Sequence, residues 1–453
     1  MKKLTVREYL SVALMLFGLF FGAGNLIFPV KMGQMSGANV IPALLGFLVT
    51  GVGLPLLGVA ALGISGSEGL YDLTRKVDRR YAMVFTCMLY LTIGPFFAIP
   101  RCANTSFTVG VMSMLPSDAN VKLWTFVFSL AFFAAALAFS LFPGRILTWV
   151  GKLLTPIFLV FLAVLVIVAL ASPTIGVFEV APEGAYVENA FSTGFLEGYN
   201  TMDVLAGLAF GIVVVEVIRR LGVTEPEQVA ASTVRAGVFS CLFMALIYVF
   251  VTLVGVVSRG VFTTADNGGI ALAQIAEYHL GKPGLFILAG TVTFACLKTA
   301  VGLITSCAET FDRLFPKRPG YRVWVVIFSA ISFGFANFGL DRLIEWSIPV
   351  LMFLYPLAIS LVLLALFGKW FDQDRTVYLW VTGAALIGAV YDFLSALPSG
   401  VRSALHLDGF LVAVGRFLPL SSLGLGWLCP AALGAVIGLT VHFVKRRSRR
   451  TSL

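Results

Sequence analysis

The first apolar segment is interrupted in its middle by Gly22-Ala23-Gly24-Asn25-Leu26-Ile27-Phe28-Pro29. That interruption constrains the fold more than any other feature. In hydrocarbon every backbone N–H and C=O must be paired internally. Irregular backbone at that depth survives only where it faces protein or a water-filled cavity. Two half-helices meeting at the break would point a positive N-terminal end at an anionic group and negative carbonyl ends at a cation. Glycines let the backbone leave the helix. The N–H groups from Ala23 to Leu26 are then expected to open the second half-helix and to receive a carboxylate without an arginine. Pro29 is expected in the first turns of that half-helix, where its missing N–H is tolerated. The competing reading is a Gly/Pro kink that serves close helix packing.

The segment is membrane sequence because the whole chain is. Of 453 residues, 59% are hydrophobic and 12% charged, with a mean hydropathy of +0.95. Apolar runs of roughly 20 residues, enough to cross a bilayer, recur from end to end. The expected class is an all-α polytopic membrane protein, a single membrane domain over 1–453, with no cleavable signal peptide. Twelve spans are expected at 8–35, 37–64, 82–111, 123–142, 153–172, 193–217, 237–257, 284–308, 321–338, 343–367, 376–396 and 423–443.

The net charge of +9 is topological and does not point to nucleic acid. Of 32 Lys and Arg, 23 fall on the side of the termini, including Lys2, Lys3, Arg7, Arg145, Lys152 and the tail from Lys445 to Arg450. Eight fall on the other side: Lys31, Arg101, Lys122, Arg259, Lys282, Arg342, Arg402 and Arg416. Lys298 alone is placed within a span. The positive-inside rule then puts both termini in the cytoplasm. Six scattered cysteines without C-x-x-C spacing read as packing residues. His279, His406 and His442 read as isolated residues without partners, and no metal centre is expected. Loops are expected at 173–192, 258–283 and 397–422. The second carries an amphipathic stretch from Ala271 to Leu280.

A second interruption, Glu197-Gly198-Tyr199-Asn200-Thr201-Met202-Asp203, sits in the sixth span. Two carboxylates, an amide and a hydroxyl there are expensive in lipid. Asn200, Thr201 and Asp203 are expected to line a site or to position the broken backbone. Glu197 reads as a solvated group near the outer mouth, and Glu216 as part of a boundary ion pair with Arg219 and Arg220. The two breaks are five spans apart, and a five-helix unit repeated once must be inverted. Paired breaks in corresponding halves are a sequence pointer to a transporter site. The repeats would be 6–172 and 193–367, with 376–444 as two additional helices. In the eighth span Ala295, Lys298 and Thr299, at i, i+3 and i+4, share a helix face. A lysine there is costly unless paired or neutralised. It reads as a cation or proton site, or as half of an ion pair with Asp203 or Glu309.

The stretches 17–29, 194–203 and 295–303 together resemble the bacterial branched-chain amino acid:cation symporters of the BrnQ or LIVCS type, within the amino acid–polyamine–organocation superfamily. The resemblance spans essentially the whole chain. It implies an inverted five-plus-five leucine-transporter-like fold with helices 1 and 6 broken, and transport of leucine, isoleucine and valine into a bacterium across its cytoplasmic membrane. It implies no cofactor beyond a coupling cation, H+ or Na+. Substrate is then expected at Ala23, Gly24, Asn25, Leu26, Phe28, Tyr199, Asn200 and Asp203. By analogy with sodium-coupled relatives of this fold, Phe21, Gly24, Ala295, Lys298 and Thr299 would carry the ion, with proton coupling through Lys298 placed ahead of sodium. A channel lacks support in any filter-like loop, an enzyme in any catalytic motif, and a receptor in any cytoplasmic output domain.

Overall fold

The computed structural model describes residues 4–67, 69–116, 118–142, 155–316 and 319–451. Lys2, Lys3, Arg145, Lys152, Lys317, Arg318 and the start of the fifth expected span lie outside the described residues. So does the side chain of Glu216, with its expected ion pair.

Among the described residues there is no strand. The helices are, in chain order, α1 (Val6–Phe20), α2 (Ala23–Ser36), α3 (Val40–Leu48), α4 (Leu54–Ser65), α5 (Leu70–Arg75), α6 (Arg79–Leu91), α7 (Ala98–Ser106), α8 (Val121–Ser140), α9 (Thr155–Ala171) and α10 (Ala190–Glu197). They continue as α11 (Asp203–Arg220), α12 (Pro226–Val257), α13 (Gly268–Leu314), α14 (Tyr321–Ala336), α15 (Leu340–Phe367), α16 (Arg375–Ala396), α17 (Ser399–Ala404), α18 (Leu407–Gly415) and α19 (Leu428–Thr451). Eight helical stretches are long and apolar enough to cross a membrane, and Leu159–Ala171 and Tyr321–Ala336 are shorter apolar helices. The outward faces are apolar, with Leu123, Phe126, Leu130, Leu242, Leu246, Ile387 and Val436 exposed. A soluble protein avoids such a surface. Lipid accepts it.

Local chemistry sets the helix ends. Thr5 and Glu8 form a capping box on α1: the Glu8 N–H donates to Thr5 Oγ1 at 3.3 Å, and the Thr5 N–H donates to Glu8 Oε2 at 2.7 Å. Asn267 Oδ1 caps α13 by accepting from the N–H groups of Gly269 and Ile270 at 3.0 and 3.1 Å. The expected 258–283 loop is therefore half helix. Its amphipathic stretch buries Ala271, Leu272, Ile275 and Ala276 as the first part of α13, which bends at Gly281 (φ +63°) ahead of Pro283.

At several helix crossings backbone meets backbone, two of them through a pair of glycines. A Cβ on Gly33 of α2 would lie 2.1 Å from the Thr252 carbonyl of α12, and one on Gly255 would lie 2.3 Å from the Val30 carbonyl. Likewise α3 and α10 meet where a Cβ on Gly46 would lie 2.0 Å from the Phe191 carbonyl and one on Gly194 would lie 2.0 Å from that of Ala43. Small residues at an interface let helices approach this closely.

The last two long helices, α16 and α19, pack on each other. At the tail end His442 is not isolated: its Nδ1 lies 2.7 Å from Asp374 Oδ2 and its Nε2 3.9 Å from Asp372. Arg446 pairs with Asp372 at 3.2 Å, and Arg375 with Asp78 at 2.5 Å. The sequence showed no link between these residues because they lie far apart along the chain.

Candidate binding site between two broken helices

The first break is as short as backbone allows. Helix α1 stops at Phe20. Phe21 and Gly22 are extended (φ −72°, ψ 98°; φ −127°, ψ −158°), and α2 begins at Ala23. Its first N–H groups have no intrahelical partner. Asn25 holds the turn, its Oδ1 accepting from the Gly22 N–H at 2.8 Å. Pro29 is the seventh residue of α2, not a first-turn proline. Its missing N–H withholds the usual helical donor from the Asn25 carbonyl.

The second break faces the first. Helix α10 ends at Glu197, a single 3₁₀ turn follows over Gly198–Thr201, and Met202 adopts a left-handed conformation (φ 63°, ψ 15°) before Asp203 opens α11. A buried methionine with positive φ is locally strained, as chain at functional sites often is.

Side chains join the breaks. Asn25 Nδ2 donates to Asp203 Oδ2 at 2.7 Å and also to the Tyr248 hydroxyl, which donates to Asp203 Oδ2 at 2.9 Å. Asp203, Asn25 and Tyr248 are each at most 1% exposed. The carboxylate sits at the N-terminal end of α11, where the helix dipole favours negative charge. Tyr248 comes from the middle of α12, where no sequence signal separated it from other apolar positions.

The largest departure from expectation is Arg101. It does not lie at the outer surface. It sits within α7, 3% exposed, and Nη1 donates to the Asn200 carbonyl at 2.7 Å. Its guanidinium lies 5.1 Å from the centre of the Phe28 ring. A Cβ on Gly24 would be 3.1 Å from Nη2. Lys298 is thus not the only basic residue away from a surface, and the start of α2 has an arginine beside it after all. A charge inside the expected 82–111 span, after the helix-breaking Gly94-Pro95, was the available signal. At that point Gly94 leaves helical geometry (φ −92°, ψ −123°).

These groups enclose a cavity of about 30 Å³, lined by Gly22, Ala23, Gly24, Asn25, Arg101, Cys102, Thr201, Asp203 and Thr299, with Phe20, Ile93, Phe210 and Leu303 among its apolar walls. That is room for a water or two. Of the expected substrate residues, Ala23, Gly24, Asn25 and Asp203 line it. Leu26 is packed in the core at 1% exposure, and Phe28 lies under Arg101. Tyr199 and Asn200 line a different cavity of about 320 Å³, with Glu197, Leu351 and Met352, at the end of the helices opposite the basic tail. The Tyr199 ring stacks on Tyr355 at 3.9 Å.

Of the expected ion residues, Thr299 reaches the first break. Its hydroxyl donates to the Phe21 carbonyl at 3.4 Å and to the Ala295 carbonyl at 3.2 Å. Lys298 is half-buried and is not among the residues lining the cavity. No cluster of three His, Cys, Asp or Glu able to hold a metal occurs among the described residues.

The sequence pattern of the family described as branched-chain amino acid transport protein matches residues 5–445. The branched-chain amino acid permease BrnQ of Lactobacillus delbrueckii subsp. lactis is 50% identical over 448 residues, covering 99% of this chain and 100% of that one. BrnQ of Bacillus subtilis is 40% identical over 99% of each chain, and BrnQ of Escherichia coli K12 is 36% identical over 96% of each. Among solved structures, Mhp1, a nucleobase-cation-symport-1 family transporter, superposes in its closed, bromovinylhydantoin-bound conformation with a TM-score of 0.59 at 16% identity, over 98% of this chain and 93% of that one. Its inward-facing conformation gives 0.61 at 14% identity, over 97% and 91%. At such identities the likeness establishes the fold, an all-helical transporter fold shared with Mhp1.

Proposed function

The chain belongs to the branched-chain amino acid transport protein family, a family of integral membrane transporters rather than enzymes, and from that premise we propose that it carries leucine, isoleucine and valine by cation symport with alternating access. One observation supports the site most directly. The N-terminal end of α2 and the Asp203 carboxylate face a single buried cavity with apolar walls. An α-amino acid is a zwitterion, and these two ends are complementary to its carboxylate and its ammonium. Phe20, Ile93, Phe210 and Leu303 would hold the side chain. One methylene in such a pocket is worth about 1–3 kcal/mol, so the three substrates share one site. A cavity of about 30 Å³ is too small for any of them. Binding therefore requires the half-helices to part, and closing over the substrate is the occluded step of the cycle.

The topology we propose is twelve spans in two inverted five-helix repeats, 6–172 and 193–367, with 376–444 appended, in one transporter domain. The basic tail side, with both termini, faces the cytoplasm of a bacterium, and the protein resides in its cytoplasmic membrane. The coupling cation is read as H+ carried by Lys298. The contact between the Thr299 hydroxyl and the Phe21 carbonyl favours a second reading, Na+ held by those oxygens with carbonyls of Gly24 and Ala295.

The test is uptake of radiolabelled leucine into proteoliposomes under a proton gradient or a sodium gradient, imposed separately. Accumulation under protons alone supports the first reading of the ion, and accumulation under sodium alone the second. Accumulation under neither, together with no counterflow of labelled leucine, refutes the transport reading. Counterflow also separates a carrier from a channel.

A further inference from the structure

We propose that Arg101 is the residue that grips the substrate's α-carboxylate, completing with the start of α2 a two-part anion site that makes a free carboxylate obligatory. This rests on the amino-acid transport reading and adds to it a residue and a specificity rule.

A guanidinium carries five N–H donors and a permanent charge. Taken out of water it costs several kcal/mol unless paired. In this protein Arg101 is 3% exposed. Nη1 is satisfied by a backbone carbonyl and the ring face of Phe28 offsets part of the charge, but Nε is buried with no hydrogen-bond partner. No carboxylate among the described residues lies within ion-pair distance of it. The nearby Asp203 carboxylate is hydrogen-bonded to Asn25 and Tyr248 instead. A cation thus stands at the wall of a cavity with a donor unused, beside the N-terminal end of a helix. Both features ask for the same thing, an anion with two oxygens in a plane, which guanidinium geometry meets with paired hydrogen bonds.

The residues around Arg101 preserve this arrangement. Gly24 leaves space for Nη2, since a Cβ there would be 3.1 Å from it and 3.3 Å from the Phe28 ring. The Asn200 carbonyl steers the guanidinium across the gap between the breaks. A purely structural clamp on Asn200 would need one donor and no charge. A neutral amide could supply it without the cost of burying a cation.

The experiment measures binding of L-leucine and of L-leucinamide to the purified full-length protein in detergent, for the native chain, Arg101→Gln and Arg101→Lys. Leucinamide keeps the ammonium and side chain and lacks the anion. The native chain is expected to bind leucine at least about tenfold more tightly than leucinamide. Arg101→Gln keeps a donor for the Asn200 carbonyl, and in it leucine affinity should fall about 10- to 100-fold, the range of a hydrogen-bonded charge, while leucinamide affinity holds. Arg101→Lys should fall between. Equal weakening of both ligands in Arg101→Gln would overturn the proposal in favour of a structural clamp. Equal affinity of the native chain for both ligands would overturn it without any variant, should the glutamine chain not fold. If the native chain binds neither, the amino-acid reading itself fails, a result distinct from the loss of selectivity that tests Arg101.

Discussion

Asp203→Asn separates binding from folding at this site. The substitution keeps the side chain's shape and removes its charge. In the native chain Oδ2 accepts two hydrogen bonds, from Asn25 at 2.7 Å and from Tyr248 at 2.9 Å. Hydrogen bonds to a charged group contribute about 1.5–3 kcal/mol and neutral ones about 0.5–1.5, so the pair loses roughly 2 kcal/mol. Against this, a buried carboxylate at 1% exposure no longer has to be desolvated, an opposing term of several kcal/mol. The desolvation term is at least as large as the loss, and the folded protein should melt no lower than the native chain. Substrate binding has no such offset. An ammonium facing an amide in place of a carboxylate forfeits the charge-assisted bond, and a loss of about 2–3 kcal/mol is a fall in leucine affinity of roughly 30- to 150-fold. The assay is equilibrium binding of labelled leucine beside a thermal melt on the same preparation. A folded Asp203→Asn protein that binds leucine as tightly as the native chain would refute the assignment of Asp203 to the ammonium.

Three other expectations can be checked with standard variants. Lys298→Thr should abolish proton-driven leucine uptake, whereas Thr299→Val should leave it intact; abolition of sodium-driven uptake by Thr299→Val would move the ion to the Phe21 carbonyl. Gly33→Ala places a methyl 2.1 Å from the Thr252 carbonyl, and should cost at least about 1–3 kcal/mol, read as a lower melting temperature and a reduced yield of folded protein. The Asp374 carboxyl is held below its ordinary value of 3.8, first by its hydrogen bond with His442. Its stabilisation of the α16–α19 contact is therefore present above that ordinary value and lost as pH falls through the lowered one. Asp374→Asn should melt lower than the native chain at neutral pH, and the difference should vanish in strong acid.

The two breaks could be read from the sequence because each leaves a compositional trace in an apolar background. Gly22 and Gly24 free the backbone of α2's start, and polar residues crowd Glu197 to Asp203. Their meeting through Asn25 and Asp203, 178 positions apart, could not be read, since neither residue names its partner. Tyr248 resembles any aromatic packing residue until its hydroxyl is seen on Asp203. Arg101 was misplaced for a physical reason: a lone long-chain cation in an apolar run snorkels as a rule, whereas this one, past the kink at Gly94, reaches inward to the Asn200 carbonyl. Pro29 stands beyond the first turn of a helix that opens, as expected, at Ala23, so its missing N–H falls where a helical bond is lost.

The backbone crossings at Gly33 with Gly255 and at Gly46 with Gly194 bear on what can slide. Contacts with carbonyl oxygens under a would-be Cβ leave no slack for one helix to shear past the other, as side-chain packing would. Helix α2 is therefore fastened to α12, and α3 to α10. In the alternating-access cycle proposed above, each fastened pair would move as one body. Opening of the cavity would then fall on the extended Phe21–Gly22 and on the 3₁₀ turn that ends at the left-handed Met202, where a few dihedral angles can turn without unfastening a crossing.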